Sequence, residues 1–151
     1  MQNEQEDDIN NPTGIFLITI VFTVANTFLS ENNTSQNQTG TLTIENRTVS
    51  YEKSGKCVEV IDGNTIQVYG VGKVQLTQVG SPTAEATQFV KDKCLGKTVY
   101  LDIDDKKPQD DYGRTLAIAY TEDCDINSEL IDNDLAKVSY FAPSEFKKGE
   151  V

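Results

Sequence analysis

Histidine and tryptophan are both absent from this chain of 151 residues, and methionine occurs once. Without histidine there is no imidazole to act as a general base, as a member of a Ser-His-Asp triad or as a metal ligand. Any acid–base chemistry would therefore depend on carboxylates, tyrosines or lysines. Basic residues are also few: 13 Lys and Arg stand against 24 Asp and Glu, for a net charge of −11. Because nucleic-acid affinity comes largely from Lys and Arg contacts with phosphates, this charge disfavours a nucleic-acid partner.

Cysteine occurs only three times, at Cys57, Cys94 and Cys124, and no Cys-x-x-Cys pair is present. This wide spacing disfavours a zinc site and a thioredoxin-type redox motif. Two interpretations of the three cysteines remain open. One is a single disulfide with a leftover thiol, and the other is a set of buried free thiols.

The N-terminal region differs in composition from the rest of the chain. Residues 1–13 are acidic and polar, with no Lys or Arg, which is typical of a disordered tail. Residues 14–30, GIFLITIVFTVANTFLS, are uncharged and mostly apolar, although slightly short of the roughly 20 residues of a spanning helix. We predict a membrane segment there. A buried strand is the alternative, since Ile, Val, Phe and Thr also favour β-structure.

Residues 31–50 form a polar linker rich in Asn, Thr, Ser and Gln, in which the alternation of TLTIE is compatible with one short strand. Because the linker follows an apolar segment and is dense in glycosylation sequons, we predict a glycosylated stalk and a domain that faces the cell exterior, either membrane-anchored or secreted. An unmodified tether is the alternative. The four Asn-x-Ser/Thr sequons begin at Asn32, Asn33, Asn37 and Asn46.

Residues 51–151 have the composition of one globular domain, with 12 basic and 18 acidic side chains and a net charge of −6. Alternating apolar and polar residues predict strands in KCVEVI, TIQVYG, KVQLTQV, KTVYLDID and RTLAIAYT. Apolar residues at helical spacing predict a helix over SPTAEATQFVKDKCLG, with Ser81 as its N-cap and Pro82 as its first residue. INSELIDNDLAK predicts a second helix. The expected fold is a small α+β domain, mostly β, with a β-barrel core.

Four stretches of this domain, taken in order, resemble the thermonuclease (staphylococcal-nuclease-like) family. The resemblance runs from about Lys56 to Phe141 and implies an OB-fold, that is, a five-stranded barrel with two helices. It also implies the family's chemistry, which is calcium-dependent hydrolysis of phosphodiesters. In the family, two aspartates and a backbone carbonyl hold the ion, a glutamate activates water, and two arginines stabilise the charged transition state. The four stretches are VIDGNTIQV, KVQLTQVGSP, DYGRTLAIAY and INSELIDNDLAKVSY.

Most of the functional positions implied by the resemblance carry a different residue in this chain. Asn64 stands where the family's Asp-Gly-Asp-Thr turn has a calcium-binding aspartate, and Gly80 replaces the second such aspartate. Gln75 replaces one arginine, and Thr83 replaces the glutamate that acts as the base. Because a hard cation requires anionic oxygen ligands, we expect no calcium at this degenerate site and no other cofactor.

A few positions of the family pattern are retained. Arg114, within DYGR, is the surviving residue of catalytic type. The alternative is that its guanidinium only stabilises the barrel, by pairing with Asp or with backbone carbonyls. Asp62 is a vestigial neighbour of the metal site, and Tyr112 and Tyr140 match family positions near the substrate phosphate.

The resemblance therefore predicts a domain that has lost its phosphodiesterase activity. We expect it to act as an extracellular binding or structural module for an unknown protein or surface component, with membrane contact through residues 14–30. The alternative is an active calcium-dependent nuclease with a rearranged site built on Asp62, Glu85 and Arg114. The family's barrel also brings the regions of Cys94 and Cys124 towards each other, so we expect a disulfide between them in an oxidising exterior.

Overall fold

The computed structural model describes residues 39–151. This part of the chain contains nine strands and two helices. Their bounds, in chain order, are β1 Gly40–Ile44, β2 Arg47–Tyr51, β3 Lys53–Asp62, β4 Thr65–Val68, β5 Gly72–Leu76, β6 Val79–Gly80, α1 Ala86–Cys94, β7 Thr98–Ile103, β8 Thr115–Tyr120, α2 Ile126–Asp132 and β9 Lys137–Val138.

Five of the strands close into a barrel in the order β3–β4–β5–β8–β7. Neighbouring strands are antiparallel, except that β5 and β8 run parallel. Strand β3 is ten residues long, and it pairs with β7 along its first half and with β4 along its second half. The long strand therefore closes the barrel. The predicted α+β, mostly β OB-fold with five barrel strands and two helices is confirmed.

Side chains that alternate along the barrel strands fill the interior, as the two-residue period of a strand requires. On β7, Val99 and Leu101 are fully buried, whereas Tyr100 between them is partly exposed. The two helices add Val90 and Leu130 to the same core. This packing fixes the positions of the turns and strand ends that carry the candidate site.

Helix α1 begins later than the sequence pattern predicts. Its first residue is Ala86, and Ser81 has a positive φ of 47° rather than the geometry of an N-cap. The preceding segment instead packs on the β3–β4 turn. A Cβ atom added at Gly63 would lie 2.7 Å from the Cβ atoms of both Pro82 and Ala86. The predicted start at Ser81 and Pro82 is wrong because this close contact with the glycine holds the segment outside the helix.

The second half of the predicted polar linker is a β-hairpin that packs on the barrel. Strands β1 and β2 pair over five residues each, and Ile44 at the end of β1 is buried. The Nη2 atom of Arg47 lies 2.8 Å from Oδ2 of Asp125, whose side chain is only 5% exposed. The predicted domain boundary at residue 51 is therefore too late, because the hairpin belongs to the folded domain. Ile44 shares an apolar cluster with Ile118, Tyr120 and Phe146.

Several predictions concern residues before 39, which lie outside the described part of the chain. These are the acidic tail 1–13, the membrane segment 14–30 and the sequons at Asn32, Asn33 and Asn37. Neither helix between residues 39 and 151 has the length and apolar character needed to cross a bilayer. Asn46, the remaining sequon, lies exposed in the β1–β2 turn with a φ of 68°.

The cysteine pairing differs from the prediction. All three cysteines are buried free thiols, so the expected Cys94–Cys124 bridge is not formed. The sulfur of Cys94 lies instead 3.5 Å from that of Cys57. The physical reason is that β3 hydrogen-bonds the loop after α1: the Gly96 amide donates to the Cys57 carbonyl at 2.8 Å, and the Cys57 amide donates to the Lys97 carbonyl at 2.9 Å. This pairing places Cys57 against the end of the helix.

Candidate functional site

The turn between β3 and β4 is held by two side chains, those of Asp62 and Asn64. Oδ1 of Asp62 accepts a hydrogen bond from the Asn64 backbone amide at 2.9 Å, as is common in Asx turns. The side-chain amide of Asn64 donates in turn to the carbonyl of Val79 at 2.8 Å. Asn64 therefore ties this turn to β6, and the bond needs an amide, because a carboxylate has no proton to donate.

A hydroxyl lies between the turn and the neighbouring strands. Thr65 is 2% exposed, and its Oγ1 lies 3.2 Å from Oε1 of Gln75 and 3.3 Å from Oδ1 of Asn64. Nη1 of Arg114 also donates to this hydroxyl, at 3.5 Å. The β4–β5 register explains the first contact, because Thr65 and Gln75 are directly paired across the two strands. The side chain at position 75 is thus a neutral hydrogen-bond partner within this network.

Arg114 is held by an aspartate of its own turn. Its Nε donates to Oδ2 of Asp110 at 2.6 Å, and the Asp110 side chain is only 14% exposed. Oδ1 of Asp110 accepts the backbone amides of Tyr112 and Arg114, each at 2.9 Å. Burial raises the pKa of Asp110, but these hydrogen bonds and the guanidinium together lower it. The Arg114 guanidinium also lies over the Tyr112 ring, 5.5 Å from its centre.

Gly80 lies where β6 pairs with β9, and it has no room for a side chain. A Cβ atom added there would lie 2.4 Å from the Cβ of Ser139, a distance that real Cβ atoms do not adopt. The backbone around it is fixed, because Gly80 pairs with Lys137 and the Ser139 amide donates to the Gln78 carbonyl at 2.8 Å. A carboxylate at position 80 would therefore require β9 to move.

These residues surround a cavity of about 490 Å³. Six of the lining residues are ones that the sequence places at functional positions of the family pattern: Asn64, Gln75, Gly80, Tyr112, Tyr140 and Arg114. Asp62 and Thr83 do not line it, and neither does Glu85. Thr83 is exposed, and its backbone amide donates to the carbonyl of Leu135 at 2.8 Å. The remaining lining residues are Leu76, Thr77, Gln78, Val79, Asp104, Lys107, Asp110, Asp111, Leu116, Ser139, Phe141, Pro143 and Ser144.

Sequence reasoning missed Asp104, which lies in the acidic run DIDDKKPQDD, residues 102–111. Its side chain is buried, and its Oδ1 accepts the backbone amides of Lys106, Lys107 and Glu145 at 3.1–3.2 Å. This carboxylate fixes one wall of the cavity to the C-terminal segment. The alternation of KTVYLDID did not indicate its burial, because Val99, Leu101 and Ile103 are the inward positions and Asp104 is out of phase with them.

Sequence reasoning also missed Gln78 and Phe141. Gln78 has a φ of 59° and is buried. Its side chain donates to the Lys147 carbonyl at 2.8 Å and accepts the Gly149 amide at 2.7 Å. Phe141 lines the cavity with 74% of its surface exposed. No local sequence signal identifies these two, because their roles depend on where the chain places residues 141–149.

The cavity is mixed in charge. Its cations are Lys107 and Arg114, and its carboxylates are Asp104, Asp110 and Asp111. Asp110 already neutralises Arg114 through their ion pair. The lining therefore offers little net attraction for a phosphate, and it includes two exposed aromatic rings, those of Tyr112 and Phe141, which are 86% and 74% exposed.

The residues at the family's calcium position do not fit that ion. Calcium takes six to eight oxygen ligands, usually with several carboxylates. Here Asn64 directs an N–H group at the Val79 carbonyl, and Gly80 supplies no side-chain oxygen. Within residues 39–151, no group of three or more Cys, Asp or Glu side chains is arranged to hold a metal ion.

Two comparisons with known proteins find similarity to one family. Residues 72–150 match the family model described as staphylococcal nuclease homologue. The chain is also similar to the thermonuclease of Staphylococcus hyicus, with 32% identity over 108 aligned residues. That alignment covers 62% of this chain and 63% of the relative, so the chain spans less than two thirds of the curated relative that it matches.

Proposed function

Because this chain belongs to the staphylococcal nuclease homologue family, we propose that its barrel is a binding module that does not hydrolyse phosphodiesters. The observation that carries the proposal is the hydrogen bond from the Asn64 side-chain amide to the Val79 carbonyl. A neutral donor occupies the position where the family's mechanism needs an anionic metal ligand. The family's metal-dependent chemistry has no support from the residues present at this point.

Two of the three carboxylates that line the cavity are not free to act as a general base. A base must have a carboxylate that is free to take a proton from water within hydrogen-bond reach of the reacting group. Asp104 accepts three backbone amides, and Asp110 is paired with Arg114. The third carboxylate of the lining is that of Asp111, which is exposed and lies in a turn. Thr83 is neutral and does not line the cavity, so it does not take the role of the family's glutamate.

Charge supports a ligand other than nucleic acid. Residues 51–151 have a net charge of −6, and the one cavity arginine is paired with an aspartate. Fixed positive donors are what stabilise the charge that develops on a phosphate. We therefore propose that the cavity and its exposed aromatic rim bind a protein or another surface component.

The alternative function, an active nuclease with a rearranged site, has less support. It would need Asp62 and Glu85 to act beside Arg114, yet only Arg114 lines the cavity. Asp62 accepts the Asn64 amide, and Glu85 is exposed just before α1. Backbone hydrogen bonding at its own amide and a bond from Thr83 lower the pKa of Glu85, which makes it a poorer base.

A nuclease assay tests the proposal. The full chain is incubated at high concentration with single-stranded DNA or RNA in the presence of calcium, magnesium or manganese. We expect no cleavage, and binding to a labelled oligonucleotide weaker than about 10⁻⁴ M at low salt. Cleavage by the unmodified chain that disappears in Arg114→Ala would contradict the proposal and favour the rearranged nuclease.

A variant that restores the family's residues tests whether the barrel can still support calcium-dependent cleavage. Restoring the family pattern needs Asn64→Asp, Gln75→Arg, Gly80→Asp and Thr83→Glu. Because a Cβ at position 80 would lie 2.4 Å from that of Ser139, the revertant also needs Ser139→Gly. We expect calcium-dependent cleavage only when Ser139→Gly accompanies the other four changes. Ser139→Gly alone is the matched control and should remain inactive.

We also propose that the domain faces the cell exterior, attached through residues 14–30. The support is the uncharged apolar composition of that segment and the sequons that follow it. Full-length protein should fractionate with membranes, and a chain that begins at residue 39 should be soluble. Recovery of the full-length protein in the soluble fraction without detergent would contradict the anchor.

A further inference from the structure

We propose that Cys57 and Cys94 are the site of a disulfide bond, formed by exchange with a small-molecule disulfide such as oxidised glutathione. Both side chains are fully buried in the barrel core, and their sulfurs lie 3.5 Å apart. They join the first barrel strand to the last residue of α1. The bond would therefore fasten the helix to the barrel across a separation of 37 residues.

The backbone holds the two cysteines in position without any bond between the sulfurs. The Gly96 amide donates to the Cys57 carbonyl at 2.8 Å, and the Cys57 amide donates to the Lys97 carbonyl at 2.9 Å. A disulfide needs the sulfurs to approach to about 2.05 Å, with the Cβ atoms roughly 3.5–4.5 Å apart. The sulfurs would therefore have to approach by about 1.5 Å, through χ1 rotation at the two residues.

The polar contacts of the two sulfurs indicate which cysteine reacts first with the small disulfide. The Cys94 thiol donates towards Cys57 and towards the Val90 carbonyl, the latter at 3.2 Å. The hydrogen bond from Cys94 lowers the pKa of Cys57, whereas the same contact and burial raise the pKa of Cys94. Cys57 is therefore the first of the pair to become a thiolate, which is the reactive form.

The exchange balances in two steps. The Cys57 thiolate attacks one sulfur of the small disulfide, breaks its S–S bond and releases one thiolate. Cys94 then loses its proton and attacks the Cys57 sulfur, which releases the second thiolate. The two protons end on the two released thiols, so the cysteine pair is oxidised and the small disulfide is reduced. Because both sulfurs are buried, the oxidant reaches them during folding or when the end of α1 opens locally.

Cys124 is a matched control within the same core. It is 2% exposed, and its sulfur lies 3.5 Å from the hydroxyl of Thr121. Burial raises its pKa. It follows β8 and precedes α2 rather than lying on β3 or α1, so we expect it to remain a thiol.

Trypsin separates the three cysteines, because cleavage after Lys and Arg places them in peptides 57–73, 94–97 and 115–137. The full chain is refolded in a mixture of reduced and oxidised glutathione, quenched with an alkylating reagent and digested. We expect peptide 57–73 joined to peptide 94–97, and an alkylated Cys124 in peptide 115–137. Three alkylated cysteines, or a link to peptide 115–137, would overturn the proposal.

Alanine variants provide a second measurement, so that the test does not depend on whether one variant folds. Cys124→Ala should still form the cross-link, and its thermal midpoint should fall when a reductant is added. Cys57→Ala and Cys94→Ala should have midpoints that do not respond to the reductant. In the unmodified chain, complete reduction of the mapped Cys57–Cys94 bond should lower the thermal midpoint. An unchanged midpoint would contradict the proposal that the bond fastens the helix to the barrel. None of these outcomes depends on whether the domain cleaves nucleic acid.

Discussion

At the scale of single residues, the difference between an amide and a carboxylate decides the character of the cavity. Asn64 and the family's aspartate have nearly the same shape, but only the amide can donate to the Val79 carbonyl. A carboxylate in the same position would direct a charged oxygen at a carbonyl oxygen. The substitution thus replaces a metal ligand with a bond that closes the turn onto β6.

The first prediction is that Asn64→Asp destabilises the domain. Leaving the carbonyl of the buried Val79 without its donor costs about 1–3 kcal/mol, and no second carboxylate at position 80 is available to bind calcium in compensation. Urea unfolding should show this loss both with and without millimolar calcium.

Gln88→Glu is the matched control for that change. The Gln88 side-chain amide donates to Asp92 on the exposed face of α1 at 2.8 Å, so the same amide-to-acid change should cost only about 0.2–0.5 kcal/mol. An Asn64→Asp protein as stable as the parent, or one stabilised by calcium, would show that the amide bond does not close this turn.

The sequence identified the residues of this site better than it identified their partners. Asn64, Gln75, Gly80 and Arg114 could be placed because they lie in short motifs with local spacing. The contacts of Asn64 with Val79 and of Gly80 with Ser139 join distant segments, and no local pattern encodes them. For the same reason, the exposed position of Thr83 outside the cavity was not predictable.

At the scale of elements, the barrel strands were predictable, whereas only the first strand of the β1–β2 hairpin was indicated, by the alternation of TLTIE. The barrel strands show clear two-residue alternation, whereas half of the hairpin residues are Thr, Glu, Asn or Arg, which favoured a linker. Its turn carried a usable signal. Glu45 and Asn46 have φ values of 49° and 68°, as the two-residue hairpin turn requires, and Asn tolerates that conformation well.

The second prediction concerns Ile44, which fastens this hairpin to the barrel. The side chain is 1% exposed and packs against Ile118, Tyr120 and Phe146. Ile44→Ala should cost about 2–5 kcal/mol of unfolding free energy, through lost burial and a residual cavity. The exposed neighbour Thr43 is the control, and Thr43→Ala should change stability by at most about 0.5 kcal/mol. Equal effects of the two changes would mean that the hairpin does not contribute to the stability of the core.

At the scale of the whole molecule, the excess of acidic residues concentrates around one carboxyl group. Burial raises the pKa of Asp102 to about 7, and the negative charges of Glu52, Glu145, Asp105 and Glu150 add to the effect. Asp102 lies on β7, whereas Glu145 and Glu150 belong to the C-terminal segment. The fold therefore brings like charges together from distant parts of an acidic chain.

The third prediction follows from the sign of that shift. In the unfolded chain the Asp102 carboxyl has a pKa of about 3.9, so between pH 4 and 7 only the folded state keeps its proton. Folding is therefore favoured as the pH falls towards about 4, and this stabilisation is lost as the pH rises through about 7. Asp102→Asn, which imitates the protonated carboxyl, should stabilise the domain at pH 8 and by a smaller amount at pH 5, where the folded wild-type carboxyl is still protonated.

The expected gain at pH 8 is on the order of 1–2 kcal/mol, because Asp102 is only partly buried and solvent screens its neighbours. Urea unfolding at both pH values measures it, with the exposed Asp132→Asn as the control for a change in net charge alone. Asp132 lies at the end of α2, so its substitution should have a small effect that does not vary between the two pH values. A gain from Asp102→Asn that is equal at pH 5 and pH 8 would contradict the prediction. Such a gain would come from a hydrogen bond of the new amide, since the repulsion among these carboxylates acts only when Asp102 is ionised.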